Sequence, residues 1–248
     1  MNRKKAQIFR FKQFAVQQGR CGFKVGTDGI LLGAWANVAG AKRALDIGTG
    51  TGLLALMLAQ RNPTVQLDAL ELDVASSEQA AENVIVSPWK ERIQVWQTAV
   101  QDFAPAQPYD LIITNPPFYP AEQHSLAPNK ARQQARQTTT LPYAVLLESV
   151  VRLLGENGRF CLILPVETGR GFVARAEERG LDCWRETAVR PTPTKAVHRL
   201  LLELGWRRDG VEKRPFASTS LTIETEQRHD YTAEFKALTD DFYLNLDR

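Results

Sequence analysis

Cysteine is scarce and scattered. Cys21, Cys161 and Cys183 are odd in number and form no Cys-x-x-Cys pair. That argues against a disulfide framework or a zinc knuckle and fits a reducing cytosol, so a cytoplasmic location is expected. The three histidines, His124, His198 and His229, lack metal-ligand spacing, and no metal is expected. No apolar run approaches the roughly 18 residues of a membrane span. The basic start, Met1 to Arg10, has no apolar stretch behind it, so it does not read as a signal peptide. Strong charge of one sign is missing too: the net charge is only +3. The total therefore says little about partners, and the placement of charge matters more. What remains is an ordinary globular composition of 248 residues, 44% hydrophobic and 24% charged, enough for one large core. We expect one globular unit, a monomer, with a cap over residues 1–35 and a main domain over 36–248.

Up to Trp35 the chain carries Arg3, Lys4, Lys5, Arg10, Lys12, Arg20 and Lys24, interleaved with Phe9, Phe11, Phe14 and Phe23. Cations suit phosphates and rings suit bases, which is the composition of a nucleic-acid surface. It is equally the composition of a strand-rich cap whose aromatics are core. The segment closes on a glycine-punctuated loop, Lys24-Val25-Gly26-Thr27-Asp28-Gly29, that runs into a helix which Thr27 or Asp28 is placed to cap.

Next comes strand, glycine loop and helix: Ala44-Leu45-Asp46-Ile47-Gly48-Thr49-Gly50-Thr51-Gly52, then Leu53 to Ala59. A dinucleotide-binding fingerprint needs Gly-x-Gly-x-x-Gly to bring pyrophosphate to the helix N-terminus. Here the spacing is Gly-x-Gly-x-Gly, with Leu53 in the third fingerprint position, which fits a ligand without phosphates better. Asp46 puts a carboxylate at the strand end. A second strand, Gln66 to Leu70, runs into Glu71, about 20 residues on, the interval at which an acid takes ribose hydroxyls. Asp73 is close enough to be the alternative. A helix from Val74 to Val86, a strand from Ile93 to Trp96 and a loop containing Asp102 follow.

The strand Tyr109 to Ile113 then ends at Thr114-Asn115-Pro116-Pro117-Phe118-Tyr119. Neither proline can donate to a sheet, and each pushes its predecessor out of the helical region. The chain must leave the sheet extended, with Asn115 at the carboxyl end of the strand, where open α/β sheets bind ligands. The Asn115 side-chain oxygen and the Pro116 carbonyl are acceptors suited to a planar –NH₂ group, and Phe118 or Tyr119 can stack on a flat substrate. Strands and helices alternate on both sides of this point, which means a mostly parallel sheet with helices on both faces.

These motifs together resemble the class I, Rossmann-like S-adenosylmethionine (SAM)-dependent amino-methyltransferases. More narrowly, Phe11-Lys12-Gln13-Phe14, Lys24 to Trp35 and the closing Ala237 to Leu244 resemble the bacterial family that methylates adenine-N6 in valine tRNA, 3′ of the anticodon. The resemblance implies SAM contacts from Lys24, Thr27, Asp46, Gly48, Gly50 and Glu71, and amine contacts from Asn115 and Pro116 within the Asn115-Pro116-Pro117-Phe118-Tyr119 loop. Two positions depart from it. Relatives carry an acid shortly after the third strand; Gln97-Thr98-Ala99-Val100 has none, and Asp102 is the candidate substitute. Phe118 stands where relatives often have tyrosine.

From Pro120 to Thr140 no period is legible, and Lys130, Arg132 and Arg136 suggest a flap over the acceptor. A helix (Pro142 to Leu154), a strand (Arg159 to Leu164), a helix (Glu167 to Arg179) and a strand (Asp182 to Val189) complete the alternation. Arg190 to Arg199 reads as a hairpin arm with Lys195, His198 and Arg199 as tRNA contacts, followed by a final antiparallel strand through Leu200-Leu201-Leu202. Chemistry alone leaves other –NH₂ acceptors open: guanine-N2 of rRNA, adenine of DNA, or a release-factor glutamine. A non-enzymatic nucleotide- or RNA-binding module is the alternative of another class.

Overall fold

Leu111, Ile112 and Ile113 are fully buried, as a continuous apolar run must be when both faces of its sheet are covered. The computed structural model describes residues 8–117, 141–207 and 216–246 and places this run inside an eight-stranded sheet. The chain begins with a small hairpin, β1 (Ile8–Arg10) and β2 (Ala15–Gln17), followed by helix α1 (Thr27–Trp35). Then come β3 (Arg43–Ile47), α2 (Leu53–Arg61), β4 (Gln66–Glu71), α3 (Val74–Ile85), β5 (Ile93–Gln97) and β6 (Tyr109–Thr114). The second half contributes α4 (Tyr143–Leu153), β7 (Leu154–Pro165), α5 (Val166–Glu177), β8 (Leu181–Arg190), β9 (Arg199–Trp206), β10 (Ala217–Thr222) and α6 (Ala233–Thr239).

The strand order is β10-β8-β9-β7-β6-β3-β4-β5. The run from β5 to β7 is parallel, and β9 enters antiparallel between β7 and β8. The expected class I methyltransferase fold is therefore present. Helices α1, α2 and α3 bury their apolar residues on one face, and α4 and α5 on the other. One detail of the sheet differs from the sequence reading. A tenth strand follows the antiparallel one and joins β8 in parallel at the edge. Its first four residues are exposed and polar or small, with Leu221 buried behind them, so it offers no alternation to read. Between β5 and β6 the chain runs as a loop, as expected, and Phe103 covers Trp96 at 5.8 Å between ring centroids.

The basic-aromatic start resolves in favour of core. Phe11 and Phe14 are buried and stack at 4.5 Å, Phe14 meets Trp89 edge-on, and Phe9 packs beside them. Those rings cannot meet bases; Phe23 is the exposed one. The hairpin also seats the end of the chain. Phe11 bridges to Tyr243, the Lys12 amide donates to the Phe242 carbonyl, and the Lys12 ammonium pairs with Asp240 at 3.0 Å.

Helix α1 is buried from Gly29 to Trp35, and its N-cap is Gly26 with no side-chain cap. Neither Thr27 nor Asp28 caps it, contrary to expectation, because the Asp28 carboxylate is turned to the Arg199 guanidinium, Nε to Oδ2 at 2.9 Å. At the other end, arginines satisfy the orphan carbonyls. Arg61 donates to the Gly33 and Ala36 carbonyls, and Arg185 donates to the Trp35 carbonyl while lying 3.6 Å over the Trp35 ring. Close approach of α1 to α2 depends on Gly33: a Cβ there would lie 2.6 Å from the Met57 sulfur and 3.1 Å from the Met57 Cβ. Gly33→Val is expected to lower stability by about 1–3 kcal/mol, the usual range for overpacking. Urea denaturation checks this, and a wild-type midpoint would show that the two helices are not in close contact.

Candidate active site

Parallel pairing sets the site before any side chain is considered. In the order β4-β3-β6, the glycine loop after β3 lies between the end of β4 and the end of β6. The chain runs outward from β3 through β4 to β5, then returns to the other side with β6, so a switch point opens at the carboxyl edge of β3. The Thr114 hydroxyl donates to the Ile47 carbonyl at 2.7 Å and fastens the two strand ends together. Glu71 and Asn115 therefore flank the glycine loop.

The loop is shaped for a ligand. Gly48 and Gly50 have φ of +71° and +57°, which side chains with a Cβ rarely adopt, and a Cβ on either would meet nothing within 4 Å. The backbone thus faces open space. Glu71 closes the loop on one side: Oε2 accepts from the Gly50 amide at 2.9 Å and Oε1 from the Asp73 amide at 3.0 Å. Each oxygen keeps a second lone-pair direction, so the carboxylate is fixed without being used up. Asp73 is committed elsewhere, accepting from the Ser76 amide as the N-cap of α3. That leaves Glu71 as the acid aimed at the loop. Leu72, 45% exposed, offers an apolar surface beside it.

Asp46 lies under the loop, fully buried. The Thr49 hydroxyl donates to its Oδ2 at 2.5 Å, while Oδ1 has no hydrogen bond of good geometry. Burial pushes its pKa up to about 7; the Thr49 hydroxyl and the Ala55 amide at the start of α2 pull the other way, and the Glu71 carboxylate adds to the rise. A buried carboxylate with an unused oxygen is poised to gain from a cation nearby.

On the other flank, Asn115 is half-buried and Pro116 buried. Among the described residues the Asn115 side chain has no hydrogen-bond partner. A Cβ on Gly29 would come within 3.7 Å of its Nδ2 and 3.1 Å of Leu53, so the first turn of α1 reaches this point. Phe118, Tyr119 and the basic stretch with Lys130, Arg132 and Arg136 lie outside the described residues. Lys24 and Thr27 are exposed around the start of α1, and Lys195 and His198 are exposed on the turn joining β8 to β9, at the same sheet edge. Arg199 is drawn back to Asp28. Asp102 is set apart: it lines a groove of about 420 Å³ with Arg43, Asp68, Trp96 and Phe103. Among the described residues no hydrogen bond or ion pair joins it to the glycine loop or to Glu71. Thr114, Leu72 and Gly29 escaped the sequence reading; only an exposed leucine directly after a strand-end acid hinted at one of them.

A methyltransferase small domain matches residues 25–141. Over 240 residues the chain is 48% identical to the tRNA1(Val) (adenine(37)-N6)-methyltransferase of Trichodesmium erythraeum (strain IMS101), spanning 95% of this chain and 97% of that protein. The chain belongs to this family. A relative of the same description from Pectobacterium carotovorum subsp. carotovorum (strain PC1) is 45% identical over 95% and 93% of the two chains. Among solved structures, a predicted O-methyltransferase from Agrobacterium tumefaciens superposes with a TM-score of 0.63 at 19% identity, over 87% of this chain and 96% of that one. That likeness concerns the fold. The cofactor of the family is SAM, and the residues in place fit it. The glycine backbone faces open space, the Glu71 carboxylate suits ribose hydroxyls, and the half-satisfied Asp46 suits a ligand that carries positive charge.

The sign of the pH dependence follows from Asp46. An unfolded aspartate titrates near 3.9. Between that value and about 7 the folded, ligand-free protein holds the extra proton. Its contribution to stability is therefore greatest at low pH and declines as pH rises through this window. Cationic SAM favours the ionised form, so its binding should release a proton below about pH 7 and tighten as pH rises from 5.5 to 8. Calorimetry in buffers of different ionisation heat checks this. Asp46→Asn should abolish both the proton release and the slope; an unchanged slope would show that another group titrates.

Proposed function

We propose that this protein transfers the methyl group of SAM to N6 of adenosine 37 in valine tRNA, immediately 3′ of the anticodon. One observation carries the chemistry: Asn115 leaves β6 beside the glycine loop, and among the described residues its side-chain amide has no hydrogen-bond partner. An exocyclic amine is a weak nucleophile because its lone pair is delocalised into the ring. The Asn115 oxygen and the Pro116 carbonyl accept its two hydrogens and turn the lone pair out of the ring plane. SAM supplies a methyl group on a positively charged sulfur, open to in-line displacement. The surplus proton on nitrogen leaves to water, so no buried base is needed. Alignment dominates the rate, with electrostatic support second. Pro117 stiffens the loop, and stacking on the base is the role assigned to Phe118 or Tyr119.

The charge pattern supports a nucleic-acid acceptor over a protein one. Asp46 and Glu71 put negative charge in the cradle, while Lys24 and Lys195 put positive charge on its rim. A cationic cofactor suits the first and tRNA phosphates suit the second. The relatives' description names valine tRNA and adenosine 37. The same reading takes residues 1–35 as a cap on the catalytic domain over 36–248, Lys24, Thr27, Gly48 and Gly50 as SAM contacts, and the protein as a cytoplasmic monomer. Arg199 acts beneath the rim through Asp28.

The test is methyl transfer to transcribed valine tRNA, with nucleoside mass spectrometry of the product. N6-methyladenosine is expected, and a transcript with guanosine at position 37 should accept nothing. Methylation of that transcript, or of a release-factor peptide in preference to tRNA, would overturn the assignment. In single turnover at saturating SAM, Asn115→Ala should lose on the order of a hundredfold or more in rate, as for other positioned polar contacts. Asn115→Asp keeps an acceptor and should retain more. If both variants run at near wild-type rate, Asn115 is only the residue before a proline turn.

A further inference from the structure

Asn83 is a polar residue in the last turn of α3 and is completely buried, yet it is fully hydrogen-bonded. Its Oδ1 accepts from the Gln17 amide at 2.9 Å. Its Nδ2 donates to the Gln17 carbonyl at 2.8 Å and to the Thr51 carbonyl at 2.9 Å. Gln17 is the last residue of β2, in the N-terminal cap; Thr51 lies in the glycine loop, one residue from the Gly50 amide that holds Glu71. One side chain therefore joins three elements that meet at the cofactor cradle. The cap continues from Gln17 through Gln18, whose Oε1 accepts from the Val25 amide at 2.8 Å, directly after Lys24. Arg20 ties the same segment to Glu78 and Glu82 on α3.

We propose that Asn83 is a positioning residue that couples the cap segment 17–25 to the glycine loop, so that the SAM cradle forms only with the cap seated. The geometry is selective. A buried amide with a donor and an acceptor on one backbone residue reads that residue like a strand partner, while its second N–H reaches the loop. An apolar residue of similar size would take a partner from the part-buried Gln17 amide and carbonyl and from the buried Thr51 carbonyl. A helix that needed only a core contact here would carry leucine or alanine. The expected consequence is specific: loss of Asn83 loosens the loop and the cap together and weakens SAM binding, while the acceptor site at Asn115, on the opposite flank, keeps its geometry.

This inference rests on SAM being the ligand of the glycine loop, so the wild-type protein is measured first. Failure of the wild type to bind SAM by calorimetry would sink that reading, not the coupling. With wild-type binding in hand, Asn83→Ala and Asn83→Ser are compared at a temperature where circular dichroism shows them folded. At least a tenfold weaker SAM Kd is expected, with kcat at saturating SAM and tRNA within about twofold of wild type, because the missing contact acts on cofactor binding. Hydrogen exchange should quicken at residues 17–25 and at 48–52 together. A wild-type Kd in folded variants, or faster exchange in only one of the two segments, would overturn the coupling. If neither variant folds, the wild type decides: SAM should slow exchange at 17–25 along with 48–52, and protection confined to the glycine loop would refute the proposal.

Discussion

The parallel pairing of β3 with β6 is the constraint on which the site depends. β3 receives β4 on one edge and β6 on the other, so the loop that follows β3 has a strand end on each side. That arrangement brings Glu71 and Asn115, 44 positions apart in the chain, to the two flanks of Gly48 and Gly50. The Thr114 hydroxyl on the Ile47 carbonyl locks the ends of the two strands at the level of the glycine loop. If β6 paired elsewhere, the glycine loop would still have its shape, but the Asn-Pro-Pro turn would have no donor to face.

Around that edge, charge is arranged by depth. Asp46 is buried and Glu71 half-buried, and both point into the cradle; Lys24, Lys195 and His198 sit on exposed loops at the rim. The inner carboxylates favour a positively charged cofactor and the outer lysines a polyanion. The same sheet edge can therefore serve two ligands of opposite sign without a domain boundary between them. Arg199 shows how fine the division is: one residue after an exposed histidine, it turns inward to Asp28 and fixes the start of α1 rather than adding to the rim.

The N-terminal segment belongs to the site as much as to the cap. Its aromatics pack with α6 and the residues after it, its Gln17 backbone is held by Asn83, and its helix α1 runs from the ion pair at Asp28 to the arginines at Trp35 and Ala36. The hairpin and the segment after α6 thus pack together. This accounts for the Phe-Lys-Gln-Phe start and the Asp-Asp-Phe-Tyr close behaving as one unit although they are far apart in sequence.

The sequence by itself determined the fold class, the order of the main strands and helices, and the chemistry at each strand end. Period, glycine spacing and the Pro-Pro stop are local signals, and local sterics decide them wherever the strand is buried. Glycine at 48 and 50, an acid at 71 and asparagine at 115 were legible for that reason. Only tertiary structure decided where the similar residues stand and what each of them bonds. Asp73 could not be separated from Glu71 until one was seen capping a helix, nor Asp102 placed until it was seen in a groove with Arg43 and Asp68. Whether Phe11 and Phe14 face bases or core depended on the distant α6 and Trp89, and the edge strand β10 had no pattern to announce it. Asn83 was invisible for the deepest reason. A buried amide is satisfied by backbone groups that carry no side-chain signature, so its partners at Gln17 and Thr51 exist only once the chain has folded.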